Sequence, residues 1–107
     1  MKRLTVIATI LALVALPIVA ADEGAALFQT KCAACHGKTG AADTPIAKAK
    51  GIKDLGCADI QKWTDAQLTE MIAAGGPDKV KGHDFKAKGL TDDQIKSLVV
   101  FIRTLKK

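Results

Sequence analysis

The run Cys32-Ala33-Ala34-Cys35-His36 constrains this chain more than anything else in its 107 residues. Two thiols three positions apart around a helix end can reach the two vinyl groups on one side of a porphyrin. An imidazole next in sequence then points at the iron from the proximal face. The same residue types serve other chemistries, which the rest of the chain disfavours. A dithiol redox centre needs a thioredoxin-like βαβ setting, and no such pattern surrounds the motif. A zinc site needs more ligands, yet Cys57 and His83 are the only further cysteine and histidine. A disulfide between Cys32 and Cys35 would close too small a loop to add much stability. The reading that remains is covalent attachment of one haem through Cys32 and Cys35, with His36 on the iron.

The N-terminus agrees with export. Lys2 and Arg3 precede an apolar run from Leu4 to Leu16, Pro17 breaks it, and Val19-Ala20-Ala21 supplies small residues before Asp22-Glu23. That is the layout of a cleaved secretory signal over residues 1–21, which places the mature protein in the periplasm. The run is short for a membrane span, which needs about 20 residues, so no stable membrane insertion is expected; retention as an uncleaved anchor is the alternative. Residues 22–107 then form one small domain, and loss of Lys2 and Arg3 lowers the formal charge from +5 to +3. Its aromatic residues are Phe28, Trp63, Phe85 and Phe101. A domain this small needs a staple. Three cysteines cannot form a closed disulfide framework, whereas a porphyrin would fill the core. Cys57 is left as a free structural thiol.

The remaining chain reads as all-α. Helix formers from Gly24 to Ala34 predict a helix of about three turns. Gly37 to Gly56 shows no periodicity and reads as a long loop wrapped around something. Thr64-Asp65-Ala66-Gln67 and Thr91-Asp92-Asp93-Gln94 are two capping boxes, with Trp63/Leu68 and Leu90/Ile95 at the staple positions. The first of these helices stops at Gly75-Gly76-Pro77. The second carries a buried stripe of Ile95, Leu98, Val99, Ile102 and Leu105. Nothing alternates with period two for long enough to make a strand.

Gly24 to Phe28, Cys32 to Gly37, Thr44-Pro45, Leu68 to Gly75 and Leu90 to Leu105 together resemble the small bacterial monohaem class I cytochromes c. The resemblance implies a fold of three to four helices wrapped around one covalently bound haem c, and a single-electron carrier rather than an enzyme. It implies that Gly24 and Phe28 cross the last helix near Phe101. It also implies that the Pro45 carbonyl accepts a hydrogen bond from Nδ1 of His36, though Pro45 could equally just shape its loop.

One departure from the family matters. Its distal methionine belongs in a loop shortly before the last helix, and here that loop reads Gly82-His83-Asp84-Phe85. Met71, the only mature methionine, aligns with Leu68 and Ile72 on a helix, where a core role is the default. His83 is therefore the expected distal ligand, Met71 the alternative. Bis-histidine ligation would lower the potential relative to thioether ligation. Asp84 or a loop carbonyl could hold the free nitrogen of His83. The runner-up function is a haem protein with an open sixth position, a small peroxidase or gas binder. Lysines 31, 38, 48, 50, 53, 79, 81, 86 and 88 flank the wrapping segments. They either steer an acidic redox donor or acceptor or simply solvate a small monomer. Nucleic acid is excluded as a partner, because no aromatic residues interleave with the basic ones.

Overall fold

The computed structural model describes residues 17–107, and the apolar run Leu4–Leu16, expected to belong to an export signal, lies outside them. Six helices follow in order: α1 (Pro17–Lys31), α2 (Ala33–His36), α3 (Pro45–Lys50), α4 (Ala58–Gln61), α5 (Asp65–Ala74) and α6 (Asp92–Thr104). No strand occurs among the described residues.

The crossing of α1 and α6 organises the domain. It is close because of Gly24: a Cβ there would stand 2.0 Å from the carbonyl oxygen of Ser97 and 2.9 Å from Cβ of Phe101. One turn on, the rings of Phe28 and Phe101 meet with centroids 5.0 Å apart at 46°. Tilted aromatic pairs of this kind contribute about 0.5–1.5 kcal/mol beyond the area they bury. Phe28, Ile95 and Leu98 are all but inaccessible to solvent and form one core cluster with Phe85 and Leu90. Each such side chain contributes about 1.5–3 kcal/mol through burial. Leu68, Val99 and Ile102 make a second cluster, with Trp63, Ile60 and Leu55 against it.

Both capping boxes are formed. Thr64 and Thr91 each accept from the backbone N–H of the glutamine three residues on, and each glutamine side chain accepts from the threonine N–H. The α5 helix ends at Gly75, whose φ of 85° is the left-handed conformation that glycine adopts without strain. Trp63 and Leu68 lie together in the second cluster, and Leu90 and Ile95 in the first, as the staple pattern requires.

Two expectations need correction. The helix expected over residues 24–34 is broken at Cys32, whose φ of −121° leaves helical geometry, so α2 is a separate single turn. The long loop is not structureless: Thr44 caps α3 by accepting from Ala47 N–H at 3.0 Å, Pro45 takes the first helical position, and Gly51 ends the helix at φ 66°. The Thr44 hydroxyl also donates to the carbonyl of Cys35, tying α3 to the motif.

Candidate functional site

The helices enclose a cavity of about 550 Å³, within the roughly 300–1,000 Å³ typical of pockets for cofactor-sized molecules. Cys32, Cys35 and His36 stand on its wall beside Phe28 and Leu98. Ile52, Leu55, Ile60, Trp63, Leu68, Met71, Ile72, Val80 and Phe85 supply apolar surface around the rest. Lys31, Lys50, Lys53 and Lys81 also contribute, and all four are exposed at its mouth.

His36 is held by its own turn. Its N–H donates to the carbonyl of Cys32 at 3.0 Å, and its carbonyl accepts from Ala42 N–H at 2.9 Å. His83 enters from a loop fastened at both ends to α5. Val80 N–H donates to Gly75 O at 3.1 Å, while Phe85 and Lys86 donate to the carbonyls of Ile72 and Ala73 at 3.3 and 3.2 Å. The imidazoles of His36 and His83 are thereby brought to 6.0 Å between centroids, with planes 18° apart. Phe28 lies 6.3 Å from His36, and Phe85 lies 6.4 Å from His83.

Burial, with the nearby His83 adding to it, pushes His36 down to about 4, and burial lowers His83 as well. Both rings are neutral near pH 7, with a lone pair free for a metal. Burial also pushes the Cys32 thiol up to about 11, with Cys35 adding to the rise. That is the reverse of the depressed thiol that a dithiol redox centre requires.

Nδ1 of each histidine is buried without a hydrogen-bond partner. Pro45, at the first position of α3, receives no bond from His36, and neither Asp84 nor a loop carbonyl holds Nδ1 of His83. The Nε2 atoms are not among these enclosed nitrogens and are the ones left open to a ligand in the cavity that both histidines line. Two metal–imidazole bonds of about 2 Å each, with the ring radii added, separate centroids by about 6 Å. The observed spacing fits one metal between the rings. The residues present therefore fit a haem: thiols on one wall, facing imidazoles and an apolar surround.

Met71 is half-buried in the cavity wall rather than in the core, and its methyl group packs against Gly76. Cys57 is a free thiol preceding α4 and does not line the cavity. Ile52, Leu55, Ile60 and Trp63 are wall residues that the sequence did not single out for this role. The one signal that could have found Trp63 was its staple position beside Leu68.

An all-helical domain folded around such a cavity defines a small haem protein. The chain matches the cytochrome c family over residues 21–106 and belongs to it. It is thus a haem c-type electron carrier that works between redox-protein partners, with its haem covalently attached. Among solved structures, the KustC0563 c-type cytochrome is similar at 32% identity and a TM-score of 0.67, over 78% of this chain and 98% of that one. No curated protein matches it. No helix among the described residues is long and apolar enough to cross a membrane.

Proposed function

We propose that this protein is an exported, periplasmic monohaem carrier, its haem bonded to Cys32 and Cys35 and ligated by His36 and His83. The observation that carries the reading is the 6.0 Å, near-parallel approach of the two imidazoles across the cavity. Bound haem supplies an iron that takes up and releases one electron. The chain's own residues orient that group and exclude water. The α2 turn fixes His36 beside the two thiols, the α5-anchored loop presents His83, and Phe28 and Phe85 pack beside the two rings. Imidazole in place of a thioether lowers the potential, which suits a more reducing segment of an electron-transfer chain.

Export is supported by the signal-like residues 1–21. Glu23 accepts from the Ser97 hydroxyl at 3.4 Å, and Gly24 is buried at the α6 crossing, so a domain cut before Asp22 keeps these contacts. At the cavity mouth, Lys31, Lys50 and Lys81 have no acidic partner among the described residues, whereas Lys53 pairs with Asp59 at 2.8 Å. Uncompensated positive charge at the mouth favours an acidic redox partner there.

Denaturing electrophoresis with haem staining tests the attachment. The stain should travel with the polypeptide and vanish in Cys32→Ser/Cys35→Ser. Extraction of all colour by acid-acetone would refute covalent attachment. A filled sixth position should also make carbon monoxide binding to the reduced protein slow; rapid binding would favour an open site.

A further inference from the structure

Arg103 does not line the cavity, yet its guanidinium grips one bend of the backbone beside it. Nη1 donates to the carbonyl of Gln61 at 2.9 Å, and Nη2 donates to the carbonyl of Trp63 and, at 2.8 Å, to Oδ1 of Asp65. Nε donates to the same Asp65 oxygen at 2.9 Å. This bend joins the end of α4 to the start of α5. Gln61 fastens it a second time, with Nε2 donating to the carbonyls of Leu55 and Ile102 at 2.8 and 2.9 Å.

The residue held in this way is Trp63. Its half-buried side chain lines the main cavity and also a separate, more open groove shared with Glu70, Pro77 and Asp78. Trp63 is therefore part of the partition between the cavity and solvent. The arginine side chain suits the task, because its donors form a rigid fork that lysine cannot reproduce. The Asp65 carboxylate is 74% exposed, so the ion pair itself contributes little, and the two carbonyl contacts carry the effect.

We propose that Arg103 is a positioning residue for the haem cavity: it locks the Gln61–Asp65 bend so that Trp63 walls the haem off from water and keeps its potential up. The inference rests on the assignment of this cavity to the haem. The apolar shell of a metal site controls solvent access and hence its potential. Water favours the more highly charged oxidised iron, so a loosened wall lowers the potential.

The test uses the holoprotein and its variants Arg103→Gln, Arg103→Lys, Trp63→Ala and Arg103→Gln/Trp63→Ala. Two quantities are read: the emission of Trp63, the sole tryptophan, and the reduction potential. Arg103→Gln should keep its haem, show stronger tryptophan emission as the indole moves away from the quenching porphyrin, and have a lowered potential. Arg103→Lys keeps the charge and loses the fork, so it should shift both readouts in the same direction. It also serves as the test if the glutamine variant does not fold. Trp63→Ala should lower the potential, and adding Arg103→Gln to it should lower it no further. Unchanged emission and potential in a haem-loaded Arg103 variant would overturn the proposal, as would potential shifts that add in the double variant. Haem staining separates this failure from that of the cavity assignment, since a wild-type chain without haem overturns both.

Discussion

Replacing Gly24 with alanine tests the packing that supports the site. The new methyl carbon would fall 2.0 Å from the carbonyl oxygen of Ser97, 2.7 Å from its carbonyl carbon and 2.9 Å from Cβ of Phe101. Ordinary contact begins at 3.4 Å, and two of the obstructing atoms are backbone, so relief requires α1 and α6 to separate. Overpacking typically costs about 1–3 kcal/mol, and a backbone obstruction belongs at the upper end. Alanine returns about 1 kcal/mol through helix propensity. The net loss is about 2 kcal/mol, and for a domain of this size each kcal/mol moves the midpoint by about 4–8 °C. Separation also weakens the Phe28–Phe101 contact, now at 5.0 Å. Thermal unfolding of the holoprotein, followed by haem absorbance and far-ultraviolet circular dichroism, should show a midpoint lowered by about 8–16 °C. An unchanged or raised midpoint, as at an exposed helical glycine, would refute the reasoning.

Other consequences follow from particular residues. Thr91→Ala removes one half of the α6 capping box and should cost about 1 kcal/mol, read as a lowered urea midpoint with haem ligation intact. His36 is held at about 4 against an ordinary 6.5. The unfolded chain therefore binds more protons between those values, and stability is full above pH 6.5 and is lost as pH falls toward 4. Urea midpoints of the holoprotein should be flat above that window and fall at or below it, since an iron bond only pushes the loss lower; a midpoint that rises on acidification would contradict the assignment. On the proposed ligation by His36 and His83, Met71→Ala should leave the iron low-spin; conversion to high spin in that variant would make Met71 the ligand.

Legibility in the sequence followed the range of the interactions. The capping boxes at Thr64 and Thr91, the Gly75 stop and the stripe of Ile95, Leu98, Val99 and Ile102 are local patterns present in the fold, whereas Leu105, expected in that stripe, is half-buried at the C-cap where α6 has ended. The break at Cys32 escaped the reading because residues 24–34 are uniformly good helix formers. The short α3 helix has too few residues to show a period, although Thr44-Pro45 printed its cap. The cavity wall was least legible. Ile52, Ile60 and Trp63 come from separate segments, and contacts such as those of Gln61 and Arg103, which bridge about forty residues to α6, are marked by nothing local. The pairing of His36 with His83 came from resemblance to a family and from the place of one loop; no local spacing encodes a distance between residues 47 apart.

The two imidazoles facing each other across the cavity remain the central feature, and low-temperature EPR of the oxidised holoprotein interrogates them directly. The signal should be entirely low-spin in the wild type and become high-spin in His83→Ala, which keeps its covalent haem. A high-spin wild type, or a His83→Ala variant that stays low-spin, would contradict ligation by His36 and His83.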